Sequence, residues 1–109
     1  MATRGQIGIR YKDGSITSVY SHFDNYITDG NGELLFNNYN DLVKANNLIS
    51  LGNISSLGDN IESTRFYGRD MNRKGEEARR YKNLKDWQKN SSYGYVDYNY
   101  LYDAAEAGS

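Results

Sequence analysis

Two β-branched runs joined by an Asp-Gly pair constrain this chain more than any other feature. Ile7, Ile9 and Tyr11 alternate with Gly8, Arg10 and Lys12, the pair Asp13-Gly14 follows, and a second run extends from Ile16 to Phe23. A period of two gives each run a buried face, and Asp-Gly supplies the two positive-φ positions of a type I′ turn, so the pattern predicts a β-hairpin. In the second strand Ile16, Ser18, Tyr20 and His22 share one face, and Thr17, Val19, Ser21 and Phe23 the other. Apolar groups stand on both, which predicts a central strand.

The period then changes. Asp24 to Gly32 reads DNYITDGNG, turn chemistry that predicts an exposed loop with only Tyr26 and Ile27 to pack. Leu34, Leu35 and Tyr39 predict one short helix, and Leu42, Val43, Ala45 and Ile49 a second, capped by Asn40 or Asp41 and closed by Gly52. Ile54, Leu57 and Ile61 belong to an ordered connection at the core edge. Further on, a short strand over 65–69, a polar loop and a helix over 78–89 presenting Tyr81, Leu84 and Trp87 are expected. A final strand over 93–102 puts Tyr98, Tyr100 and Tyr102 on one side, with a bulge near Val96 and Asp97 to accommodate Tyr93 and Tyr95. The expected fold is α+β: a small antiparallel sheet of three to four strands with two to three helices on one face. Residues 1–103 form a single domain, and 104–109 a disordered tail or appended remnant.

Composition narrows the function classes. With 109 residues one domain is expected, and with 38% apolar residues of which 11 are Tyr, the core must be small and partly aromatic. Thirteen basic against 14 acidic residues exclude a globally basic nucleic-acid binder, and the absence of Cys excludes disulfides, thiolate metal sites and thiol nucleophiles. No apolar run approaches the roughly 20 residues that span a bilayer, so no membrane association and a cytoplasmic location are expected.

Candidate chemistry concentrates in three places. His22, the single histidine, precedes Asp24; together they suit a general base or two metal ligands, but a metal needs more donors, so no metal or cofactor is expected. The simpler reading of His22 is a local hydrogen bond that anchors the loop. DGNGE at Asp29 to Glu33 fails as an EF-hand because Ile27 and Phe36 fall where oxygen ligands belong; Asp29 or Asn31 as helix cap with Glu33 in the first turn fits better. Between Arg65 and Lys89 nine basic residues face four acidic ones, with Phe66, Tyr67, Tyr81 and Trp87 interleaved. Such a segment suits single-stranded nucleic acid or an anionic ligand, although Glu76, Glu77 and Asp86 at helical spacing from Arg79, Arg80 and Lys89 describe an ordinary solvated helix face. The tyrosine strand reads equally as interface or as core with wet hydroxyls.

YSHFDNY, followed by GNGELLFNNYND and LISLGNISSLG, resembles a group of small proteins of tailed bacteriophages and related mobile elements. The positions that carry it are Tyr20, His22, Phe23, Asp24, Tyr26, Gly32, Tyr39, Leu48, Ile49, Leu51, Gly52, Ser55, Ser56 and Leu57, and the closing Tyr98, Asn99, Tyr100, Leu101 and Tyr102 are similar to the group's ending. The likeness covers about residues 4–60 and 93–102. Phe23 stands where Trp is usual and Asn25 where Gly is usual, which would weaken a catalytic turn. The resemblance implies origin more than chemistry: with the small size it implies a phage accessory protein, and the first expectation is a non-enzymatic inhibitor of a bacterial host protein, such as a defence or CRISPR component, in the host cytoplasm. Its contact surface would use Tyr93, Tyr95, Tyr98, Tyr100 and Tyr102 with rim charges from Arg65, Arg69 and Arg73. A small module or enzyme holding a nucleotide-like anion through His22, Asp24, Tyr26 and an arginine is the second expectation, and single-stranded nucleic-acid binding the third. A homodimer is expected of so small a core.

Overall fold

The computed structural model describes residues 3–89 and 96–104. Its elements are β1 (Gly5–Arg10), β2 (Ile16–Ser21), α1 (Asn31–Asn38), α2 (Leu42–Ser50), β3 (Ile54–Ser56), β4 (Arg65–Phe66), β5 (Arg79–Tyr81), α3 (Leu84–Lys89) and β6 (Tyr98–Asp103). The fold is α+β. The strands form one sheet in the order β4-β3-β2-β1-β6, with β5 pairing a separate stretch of β2. Six strands exceed the three or four expected, and the sheet is mixed rather than antiparallel, because β6 lies parallel to β1 and β3 parallel to β2. The short strand expected over 65–69 is present as β4, whereas β3 and β5, of three residues each, carry no period of their own and escape pattern reading.

The hairpin forms, with Ile7 opposite Val19 and Ile9 opposite Thr17. Its turn differs from the type I′ expectation. Only Gly14 has positive φ, at +88°, and Gly14 N–H donates to Tyr11 O while Tyr11 N–H donates to Ser15 O, both at 2.9 Å. That is the three-residue connection in which a left-handed glycine follows an ordinary turn. Asp13 keeps negative φ and turns its carboxylate to the Ser15 N–H and hydroxyl, at 3.0 and 2.6 Å; these bonds hold that carboxyl below its usual pKa.

Both faces of the sheet are covered, not one. Ile7, Ile9 and Val19 pack with Ala45, Leu48 and Ile49 of α2 and with Tyr39, Ile54 and Phe66. Alternation sends Gln6 and Ser18 to the opposite face, where Trp87 of α3 is buried, its indole N–H donating to Ser18 Oγ at 2.8 Å. The helix expected over 78–89 is shorter, because Arg79–Tyr81 pairs with Ile16, Thr17 and Ser18 as β5. Tertiary pairing overrides helical spacing there, and the expected helical ion pairs do not form: Arg80 reaches Asp13 and Glu76 faces Arg73, each at 3.5 Å. Ala104 belongs to the domain rather than to a tail, being buried with its N–H donating to Arg10 O at 2.9 Å.

α2 starts and stops where the sequence says. Asp41 accepts from the Lys44 N–H at 2.8 Å, and Gly52 follows at φ +90°. A Cβ on Gly52 would stand 2.3 Å from Glu76 O, whereas one on Gly14 would meet open space. Gly52→Ala is therefore expected to cost at least about 2 kcal/mol in urea unfolding and Gly14→Ala about 1 kcal/mol; equal losses would mean that backbone strain alone, not the close approach, governs position 52.

Candidate functional site

The loop leaving β2 is built on two buried amides. Asn25 and Asn31 are 0% and 1% exposed. Asn25 Nδ2 donates to Thr3 O and Ser21 O at 2.7 and 2.9 Å, and Asn31 Nδ2 donates to Asn25 Oδ1 and Phe23 O at 3.0 and 2.8 Å. The pair supplies carbonyls at the end of β1 and β2 with donors that no ladder provides. Gly5 makes the fit, since a Cβ there would lie 2.7 Å from Asn25 Oδ1. Contrary to the sequence expectation, neither Asp29 nor Asn31 caps α1; Gly30 is the N-cap, and Glu33 Oε1 accepts from the Asp29 N–H at 3.1 Å instead. With the asparagines inside, Tyr26 and Ile27 are turned outward.

Between α1 and β6 runs an apolar groove of about 410 Å³. Ile7 and Ile9 form its floor, Leu35 and Phe36 one side, Tyr100 and Tyr102 the other. Phe36 stands at the rim, 78% exposed. Parallel register places Tyr100 beside Ile7 and Tyr102 beside Ile9, so the expected alternation of β6 holds and its tyrosines lean over the core. Tyr98 and Tyr100 stack at 6.2 Å, Tyr26 meets Tyr98 edge-on at 6.4 Å, and the Tyr100 hydroxyl donates to Asn25 O at 2.7 Å. Burial, then neighbouring Tyr98, raises the Tyr100 pKa. Tyr26, expected beside His22, thus joins the tyrosine strand. Tyr93 and Tyr95 lie outside the described residues.

The arginines expected at the rim of that surface sit elsewhere. β4 and β6 occupy opposite ends of the strand order, four strand spacings or roughly 19 Å apart. Arg65 is exposed on β4. Arg69 donates to Ile61 O and Thr64 O at 3.0 and 2.8 Å, pairs with Asp70 at 3.0 Å and covers Phe66. Its bond to Asp70, with the Phe66 N–H, holds that carboxyl below the usual range. Arg73 covers Tyr67 and faces Glu76.

His22 lies on the other sheet face from Ile7. Its Nδ1 is 2.6 Å from the Tyr20 hydroxyl and its ring meets Phe23 edge-on at 4.5 Å. Asp24 does not join it, because the chain turns there at φ 61°. His22 instead shares a pocket of about 250 Å³ with Arg4, Tyr20, Tyr67, Arg73 and Glu76. Tyr20 shares the strand face of His22, as the period of two requires; Tyr67 and Arg4 arrive through tertiary pairing and leave no sequence signal. Among the described residues no group of three or more His, Asp or Glu side chains is arranged to hold a metal, and no helix is long and apolar enough to cross a membrane. No protein-family model matches the chain, and neither a curated protein nor a solved structure matches it.

Burial and then the Arg4 charge depress the His22 pKa below 6.5. A proton binds the unfolded chain more tightly, so this contribution to stability is present above pH 6.5 and is lost as pH falls through the folded pKa. The expected result is an NMR titration midpoint below 6.5 for the only imidazole, and a stability slope across pH 5 to 7 that shrinks in His22→Gln; a midpoint above 6.5 contradicts the assigned environment. Asn25→Gly, the residue usual in the resembling group, is expected to cost about 2 to 3 kcal/mol by stranding buried carbonyls, measured by denaturant unfolding.

Proposed function

We propose that this chain is a non-enzymatic binding protein whose groove between α1 and β6 receives an apolar segment of a bacterial host protein and thereby inhibits it. The observation that carries the reading is Phe36, an aromatic ring held 78% exposed at the rim of an apolar groove in a chain poor in aliphatic residues. Burying such a ring on association is worth about 2 kcal/mol, and rigid tyrosines beside it supply contact area at little entropic cost. Exposed Ile27 and half-exposed Tyr26 extend the apolar surface beyond the groove. The resemblance to phage accessory proteins supports an anti-defence or anti-CRISPR role in the host cytoplasm. His22 bonds Tyr20 rather than Asp24, which supports binding over acid–base chemistry. The nucleic-acid alternative draws less support, since Arg69, Arg73 and Arg80 are engaged with Asp70, Glu76 and Asp13.

The test is a tagged capture from bacterial lysate with nuclease present, followed by affinity measurement on the purified partner. Phe36→Asp, which alters an exposed side chain and leaves the fold intact, is expected to weaken that affinity at least tenfold, as is Tyr102→Ala. A partner that binds both variants as tightly as the native chain removes the groove from the contact surface.

A further inference from the structure

The His22 pocket is a second site, on the sheet face opposite the groove. Its residues come from three places: Arg4 just before β1, Tyr20 and His22 on β2 and just past it, and Tyr67, Arg73 and Glu76 from the segment after β4. One residue holds three of them in place. Asn53 Oδ1 accepts from the Tyr20 N–H at 2.8 Å, Asn53 O accepts from the Tyr67 N–H at 3.2 Å, and Asn53 Nδ2 donates to Glu76 Oε1 at 3.0 Å. The Arg73 N–H in turn donates to Tyr67 O at 3.0 Å. The pocket is therefore rigid before any ligand arrives, which lowers the entropic cost of binding.

Its charge is unbalanced. Glu76 faces Arg73 and keeps that guanidinium over the Tyr67 ring, 4.8 Å from its centroid. Among the described residues the Arg4 guanidinium has no carboxylate within ion-pair distance, and its positive charge is felt at both Tyr20 and His22. With His22 neutral, the two arginines and one glutamate among the described lining residues carry a net charge of plus one around a cavity of about 250 Å³. The Tyr20 hydroxyl lies 2.6 Å from His22 Nδ1, and in the tautomer in which that hydroxyl donates, the imidazole carries its proton on Nε2 as a further donor.

We propose that this pocket binds the phosphate group of a small phosphorylated molecule. Side chains bearing two guanidiniums, an imidazole and two phenols line it from β2, from the residue before β1 and from the segment after β4, a donor set that suits the several oxygens of a phosphate. Tyr67 and Tyr20 add flat ring surface for the body of the molecule. The volume falls below the roughly 300 to 1,000 Å³ of sites that enclose a whole drug-sized ligand, so the ligand is small or enters by its phosphate end.

The histidine is its own reporter. In NMR titrations of the full chain at neutral pH, adenosine 5′-monophosphate is expected to shift the His22 ring resonance saturably with a Kd of about 1 mM or tighter, while adenosine leaves it unmoved. Arg4→Gln is expected to weaken binding at least tenfold and Tyr67→Phe by a few fold, with Lys44→Gln, on α2 across the sheet, as the unchanged control. Inorganic phosphate binding as tightly as the monophosphate would replace the proposed ligand with free phosphate. Silence with the monophosphate, equal binding by Arg4→Gln, or a response only to oligothymidylate that falls steeply with salt would overturn the proposal.

Discussion

The edge of β2 shared by two different strands sets the terms for the rest of the molecule. β5 takes Ile16 to Ser18 and β3 takes Ser21, and between them the buried Tyr20 N–H turns to a side chain, donating to Asn53 Oδ1 at 2.8 Å. A buried amide left unpaired costs on the order of 1 to 3 kcal/mol. Asn53, itself 3% exposed, fills the gap with its side-chain oxygen and spends its other groups on Tyr67 and Glu76. Gly52 must adopt its left-handed conformation under Glu76 O for Asn53 to reach this point. The dipeptide Gly52-Asn53 thus joins the end of α2, the middle of the sheet and the loop that carries Arg73.

Scarcity of aliphatic residues explains the other face. Tyr39, Tyr100 and Tyr102 do work that Leu or Ile would do in a richer sequence, and each phenol needs a wet or bonded hydroxyl. Tyr39 donates to Gly58 O and Tyr100 to Asn25 O, at 2.8 and 2.7 Å. The Tyr100 ring, its tip tied to the loop at Asn25 O, forms one side of the groove.

What was legible followed the length of the periodic runs. The hairpin, both caps of α2, the alternation of Tyr98, Tyr100 and Tyr102 and the α+β class all come from patterns several residues long. The sheet order does not, because β6 pairs with β1 by tertiary placement and β3 and β5 are too short to show a period. For the site, His22 was visible as a chemical type, but its partners were misassigned: Asp24 and Tyr26 are near in sequence, whereas Arg4 and Tyr67 come from elsewhere in the chain. Asn25 and Asn31 read as loop polarity and are in fact the loop's interior.

The pairing of β1 with β6 joins residues 93 positions apart, as in Gln6 with Asn99. Contacts that distant form late, since the chain between them loses its freedom before any reward is collected. Until β6 docks, β1 presents a bare strand edge of the kind that invites association with other chains. The groove too is complete only with β6 in place, because Tyr100 and Tyr102 form one of its sides. Whatever occupies the groove therefore binds only the completed sheet and, by mass action, draws the folding equilibrium toward it.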